Sequence, residues 1–425
     1  MQVVFSPSQL DGKITIPPSK SLSHRAILSA ALANGTSKIE NIILSKDIVA
    51  TLDAVKALGA TYTISGNTVT VTGIQSLAEQ ATIDCCESGS TLRFFIPIVS
   101  SLGVSGTFLG KGKLPTRPIT PYLTEMSKNG VVFDYHNTMP FSVSGQLQPG
   151  DYQIDGDISS QFVTGLLFAL PLLNGESQIH INGKLESKPY ADMTIDVLQQ
   201  FGIQVMETEY GYRIPGNQSY HPHDYRVEGD FSQAAFFAVA AAGKGSVLLQ
   251  DLNLDSSQGD KEILTIIKSC GAKVEQKEDG ILISATQALK PFEVDASDIP
   301  DLVPILGVLG SICQGKSWIT GAKRLKIKES DRLKAISDCL NTLGGKLTPY
   351  EDKLEIDGVD SFHSGNVDSF NDHRIAMSTA IAALFSDGQV QLNTAESIQK
   401  SYPEFYQDYQ SLGGIVNVIH MESNH

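Results

Sequence analysis

Seven cations, Lys20, Arg25, Arg117, Lys188, Lys328, Arg332 and Arg374, stand beside polar residues of helix-starting type in a chain of 425 residues with a formal net charge of -15. In the segment Pro18-Ser19-Lys20-Ser21-Leu22-Ser23-His24-Arg25, hydroxyls and cations precede the apolar run Ala26-Ile27-Leu28. A helix starting there would present unpaired backbone N–H groups and the positive end of its dipole, which together suit an anion. Glu87-Ser88-Gly89-Ser90-Thr91-Leu92-Arg93 repeats the arrangement, with a glycine that lets a ligand approach the backbone. Leu114-Pro115-Thr116-Arg117-Pro118 fixes an arginine before a helix-starting proline, Ser159-Ser160-Gln161-Phe162 offers three neutral donors, and Ser187-Lys188-Pro189-Tyr190 adds a serine, a lysine and a phenol. Each segment taken singly also reads as an ordinary helix cap with solvated charges.

Acids join the cations in the second half. Lys328-Glu329-Ser330-Asp331-Arg332-Leu333 places Glu329 and Arg332 three apart, on one face of a helix or in a surface ion pair. Asn371-Asp372-His373-Arg374 sets an arginine just inside an apolar helix, and Asp298-Ile299-Pro300-Asp301 sets a carboxylate before an almost uncharged one. A helix cap, of the order of 1 kcal/mol, is the ordinary expectation for Asp301. Independent caps would differ in kind from site to site, whereas cations recur here at helix starts in an acidic protein. If the helices run parallel, their positive ends and these side chains gather on one face, a surface fit for small polyanions carrying phosphate or carboxylate.

The bulk properties narrow the partners. A net charge of -15 argues against nucleic acid or an anionic membrane. Apolar runs such as Leu166 to Leu173 and Ala234 to Ala242 fall far short of the ~20 residues of a membrane span. The beginning Met1-Gln2-Val3-Val4-Phe5-Ser6-Pro7 lacks the charged and apolar regions of an export signal, so a cytoplasmic protein is expected. Cys85, Cys86, Cys270, Cys313 and Cys339 lack metal-ligand spacing and read as buried thiols, with no metal expected.

The elements that must position these residues repeat. Gly59, Gly130, Gly202, Gly271, Gly344 and Gly413 each close a helix-like stretch and open a strand-like one, and subtraction of their numbers gives spacings of 71, 72, 69, 73 and 69. Such a period predicts six copies of one βαβαββ-like unit, each glycine ending a helix with φ > 0. About 41 residues upstream of most of these glycines lies a capped helix start: Ser21, Ser88-Gly89, Ser159-Ser160, Asp230, Asp301 and Asp372. Six units divide as three plus three, with a boundary near Tyr225 to Gly229. The expected domains are 19–228, and 1–18 with 229–425, the hairpin-like Met1 to Ile16 completing the sixth unit.

With those motifs assembled, and with Lys400 followed by Tyr402-Pro403, the chain resembles the EPSP synthases, the 3-phosphoshikimate 1-carboxyvinyltransferases of the shikimate pathway, over its full length. The resemblance implies an α/β fold of two inside-out domains, each of three units with helix N-termini facing an interdomain cleft. It implies transfer of the enolpyruvyl group of phosphoenolpyruvate to the 5-hydroxyl of shikimate 3-phosphate, without cofactor or metal, by a monomer open to inhibition by glyphosate. Matched residue by residue, Lys20, Ser21, Arg25, Ser159, Ser160, Gln161, Ser187, Tyr190, Asp301 and Lys328 would hold shikimate 3-phosphate. Lys20, Gly89, Arg117, Gln161, Arg332, Arg374 and Lys400 would surround phosphoenolpyruvate. Asp301 would be the base, and Glu329 or Lys20 the proton donor.

Glu87, Pro18 and Arg324 depart from the family pattern, which there favours asparagine, glycine and asparagine. Glu87, with Phe94, therefore bears on the expected glyphosate site. The sister transferases acting on UDP-N-acetylglucosamine typically use a loop cysteine, and Gly106 to Arg117 contains none. A non-catalytic anion-binding protein could use the same helix starts but would gain nothing from Asp301 and Glu329.

Overall fold

The computed structural model describes residues 1–420. All six repeat glycines follow directly on a helix C-cap and take φ between +84° and +110°. An L side chain rarely adopts that backbone conformation, so the glycine supplies the turn from helix into strand.

Each copy forms its own four-stranded mixed sheet. In the second copy the spatial order is Gln80–Asp84, Ser105–Leu109, Phe141–Gly145 and Val131–Asp134, the first pair parallel and the rest antiparallel. The Gly89–Ser101 helix makes the parallel crossover and Thr120–Lys128 leads to the terminal hairpin, which is the βαβαββ order. The crossover helices, Lys20–Leu32, Gly89–Ser101, Ser160–Ala169, Phe231–Gly243, Val303–Ile312 and His373–Leu384, are buried along nearly their whole length. They are enclosed on all sides because they form the inside of each domain.

The chain divides into two compact units, Pro18–Glu228 and Met1–Pro17 with the chain from Gly229 on. Each has its own apolar core. In the Pro18–Glu228 unit the first copy lacks a leading strand, and Tyr225–Arg226 fills that place beside Thr36–Glu40. In the other unit Gln2–Ser6 completes the sixth copy between Val390–Asn393 and Ile415–His420. Leu10–Thr15 corrects the expectation that both N-terminal strands join that sheet: it lies parallel to Gly245–Gln250 and begins the fourth copy. The sixth sheet is full once Gln2–Ser6 is in place, while the fourth would otherwise expose an unpaired edge.

Among the described residues no helix is long and apolar enough to cross a membrane. Cys85, Cys270, Cys313 and Cys339 are buried thiols as expected, but Cys86 is only half-buried, in a turn with φ 49°.

Candidate active site

In the Pro18–Glu228 unit the capping pattern puts polar side chains and backbone N–H groups together at the helix starts. Ser19, rather than Ser21, caps the first helix by accepting from Leu22 N at 3.2 Å, which leaves Ser21 in the first turn. Ser88 accepts from Thr91 N and Ser159 from Gln161 N. Lys20 Nζ donates to Asp47 Oδ2 at 2.7 Å across two helix starts. His24 Nδ1, Thr51, Thr91 and Ser88 form a buried chain of hydrogen bonds of 2.7–2.8 Å joining three helices. Burial, then the charges of Lys20 and Arg25, hold the His24 pKa well below its usual value, so the ring is neutral.

Arg25 is almost fully buried. Its guanidinium donates to Thr194 Oγ1 at 2.8 Å and to the carbonyls of Ser21 and Tyr190 at 2.8 and 3.0 Å. These bonds bring Ser21 and Tyr190, two expected substrate residues 169 apart by subtraction, to one arginine. Burial lowers the Arg25 pKa to about 10, which still leaves it charged near neutrality. Ser187 is buried with φ 56°, immediately before the Lys188–Gln200 helix. Lys188 is turned to Asp192 and Glu207 at 2.7 and 3.3 Å.

Gly89 has a more specific purpose than backbone access. A Cβ there would lie 2.6 Å from Arg117 Nη1 and 2.9 Å from Cζ and Nη2, so the missing side chain is what lets the guanidinium rest on this helix start. Glu87 lies against Gly112, and Phe94 is a core residue packed beside Phe168 and His24. Arg93, which the motifs did not single out, donates to Gln161 Oε1 at 2.7 Å and to the Pro118 carbonyl at 3.3 Å. Gln161 in turn donates to Ser90 Oγ at 3.1 Å. Arg93 thus orients Gln161 and holds the segment that carries Arg117.

The other unit centres on Arg332, 1% exposed. Nη1 donates to Asp301 Oδ1 at 2.8 Å, Nη2 to Glu329 Oε2 at 2.8 Å and Nε to Asp372 Oδ2 at 2.9 Å. Burial alone would lower the Arg332 pKa; Asp372, Glu329 and Asp301 outweigh it and raise the pKa well above the usual value. Glu329 precedes the Arg332–Thr342 helix, whose cap is Asp331, so the expected surface pair on a helical face is a partly buried pair at a helix start.

Asp301 is likewise not a cap. It sits in the Pro300–Leu302 3-10 turn, the α-helix begins at Val303, and no side-chain cap bond forms there. Its carboxylate takes Arg332 on one oxygen and Arg374 Nη2 at 3.5 Å on the other. Asp372 combines both jobs, capping Arg374 N at 2.9 Å while accepting from Arg332 and Ser330.

The sequence marks Asp230 as a helix start without a further role and does not single out Ser232. Asp230 caps the fourth crossover helix and accepts the Ser232 hydroxyl at 2.5 Å, and that hydroxyl receives Arg374 Nη2 at 3.0 Å. The polar helix start was visible; its link to a residue 142 positions away was not. Lys400 Nζ reaches the Asn371 carbonyl at 2.6 Å. Burial pulls the Lys328 pKa down to about 8 against the pull of Asp301 and Glu329 in the opposite direction. Arg324 donates to the Ser297 carbonyl at 2.7 Å, a structural tie at the position where the family favours asparagine.

Each unit thus offers cations for anionic groups, and the unit that holds Arg332 also offers acids for proton transfer. The sequence model of EPSP synthase (3-phosphoshikimate 1-carboxyvinyltransferase) matches residues 4–409. The chain belongs to the EPSP synthase family. The family's 3-phosphoshikimate 1-carboxyvinyltransferase from Clostridium novyi (strain NT) is 45% identical over 423 residues, covering 97% of each chain. That from Clostridium beijerinckii is 43% identical over 421 residues, covering 96% of this chain and 97% of its relative. A solved EPSP synthase structure from Acinetobacter baumannii superposes with a TM-score of 0.81 at 27% identity, covering 98% of this chain and all of that one. Family membership makes this chain an enolpyruvyl transferase of the two-domain α/β fold.

Proposed function

We propose that this EPSP synthase family member transfers the enolpyruvyl group of phosphoenolpyruvate to the 5-hydroxyl of shikimate 3-phosphate through the residues gathered at its helix starts. The observation that carries the reading is Arg332 holding Asp301 and Glu329, each at 2.8 Å. An anion binder needs the arginine but is hindered by the acids, whereas this reaction must remove a proton from a hydroxyl and add one to a methylene.

Asp301 takes the 5-hydroxyl proton as that oxygen bonds to C2 of phosphoenolpyruvate. Glu329 or Lys20 protonates C3, giving a tetrahedral intermediate; loss of a C3 proton and of phosphate then restores the double bond. Ser21, Ser159, Ser160, Ser187, Tyr190, Gln161 and Lys328 hold shikimate 3-phosphate, and Arg25 fixes Ser21 and Tyr190 through its bonds to their carbonyls. Lys20, Gly89, Arg117, Gln161, Arg332, Arg374 and Lys400 take phosphoenolpyruvate, the cations offsetting charge that builds on the intermediate and the leaving phosphate. Glyphosate competes with phosphoenolpyruvate at the Gly89–Arg117 contact, and the protein works as a monomer.

Phosphate release should require shikimate 3-phosphate and phosphoenolpyruvate together, and UDP-N-acetylglucosamine should not replace the former. Asp301→Ala should bind both substrates yet turn over at least about a hundredfold more slowly. Turnover like that of the unaltered protein would remove Asp301 from the chemistry.

A further inference from the structure

Asp260 lies in the Gly259–Lys261 3-10 turn, which packs on the first turn of the Phe231–Gly243 helix. Gln258 holds the turn there, accepting from Phe231 N at 2.9 Å and donating to the Gly229 carbonyl at 2.9 Å. The Asp260 side chain is 6% exposed, and its Oδ1 has no hydrogen-bond partner among the described residues.

The turn packs on the Phe231–Gly243 and Glu262–Ser269 helices, Glu262 of the latter being exposed, and four charged groups bear on Asp260. They are Asp230 at the start of the Phe231–Gly243 helix, Asp301 in its 3-10 turn, Lys328 after the Lys323–Ile327 turn, and Arg374 on the His373–Leu384 helix. Its chain neighbour Lys261 is turned away to the Leu254 and Ser256 carbonyls. Ionised, the three aspartates together with Glu329 and Asp372 on Arg332 would carry five negative charges against the three positive charges of Lys328, Arg332 and Arg374. Two of the acids are well supplied with donors: Asp230 has Ser232 N, Ser232 Oγ and Gln233 N, and Asp301 has Arg332 and Arg374. A buried carboxylate oxygen lacking such donors is expensive to ionise, so the shared proton belongs on Asp260.

We propose that Asp260 is held as a neutral carboxylic acid and is the positioning residue that balances charge around Asp301 and Arg374, so that Arg374 meets an incoming anion without an added negative charge behind it. Burial first, and Asp301 next, hold its pKa well above the usual carboxylate value, in agreement with this geometry. Asp260 touches no reacting atom in this scheme. The inference deepens the assignment of Arg374 to phosphoenolpyruvate and of Asp301 to proton removal.

Two measurements on the full chain test it separately. The infrared spectrum at neutral pH should contain the carbonyl stretch of a protonated carboxylic acid that Asp260→Asn and Asp260→Ser both lack. This reading is independent of the substrate assignment, and absence of that difference overturns the neutral state. Steady-state KM for phosphoenolpyruvate is then followed upward from neutral pH through the point at which the infrared carbonyl band of Asp260 is lost. As Asp260 ionises, KM of the unaltered protein should climb relative to both variants by about threefold or more. Lys328 titrates in the same range and feels Asp260, so the three profiles are repeated in a Lys328→Arg background, where that charge is constant. Parallel KM profiles alongside a present infrared difference would refute the positioning role while leaving the buried acid intact.

Discussion

Replacing Gly89 with alanine tests how a missing side chain seats a substrate cation. The added Cβ would meet Arg117 Nη1 at 2.6 Å and Cζ and Nη2 at 2.9 Å, against an ordinary contact of 3.4 Å or more. The difference, 3.4 minus 2.6, asks the guanidinium to withdraw by about 0.8 Å. For an anion about 3 Å from the charge at an effective dielectric of about 20, lengthening to about 3.8 Å weakens the attraction from about 5.5 to about 4.4 kcal/mol. The loss of roughly 1.1 kcal/mol corresponds to about sixfold in affinity. If Arg117 holds phosphoenolpyruvate equally in the bound state and during reaction, the loss should appear in KM for phosphoenolpyruvate with kcat largely kept. The assay is phosphate release at saturating shikimate 3-phosphate with phosphoenolpyruvate varied, and the glyphosate inhibition constant should rise alongside. In an Arg117→Ala background the same alanine should add little, since its target is gone. A KM within twofold of the unaltered protein, or an equal effect in both backgrounds, would refute displacement of Arg117 as the cause.

Two other outcomes follow from the same structure. Lys328 is charged below about pH 8 and loses its proton above it, so KM for shikimate 3-phosphate should rise through that range; Lys328→Arg, which stays charged, should flatten the rise, and an unchanged profile would separate Lys328 from phosphate binding. Gly165→Ala puts a Cβ against Tyr122 Oη and the Arg93 carbonyl, where Tyr122 donates at 2.7 Å, so unfolding should become easier by about 1–3 kcal/mol and Tm should drop; an unaltered thermal transition would show that the helices separate without cost.

The sequence by itself determined what is local or periodic. The six glycines needed no partner to reveal helix ends, because positive φ is a property of one residue, and their regular spacing exposed the repeat. Ser88, Ser159, Asp230 and Asp372 were legible as caps for the same reason, their bonds spanning only two or three residues. The cation set and its anionic substrates followed from the helix starts together with the family motifs. Asp301 shows where local reasoning ends: its place before a helix looks like a cap, but Arg332 and Arg374, 31 and 73 positions later, claim the carboxylate. Only the folded chain could decide that, since it brings two distant guanidinium groups to the carboxylate, and a charge-assisted bond to arginine is stronger than one to a backbone N–H. The same holds for Arg93 on Gln161, Ser232 on Arg374 and Asp260 beside three helix starts, and for Leu10–Thr15, whose sheet was set by an open edge far along the chain.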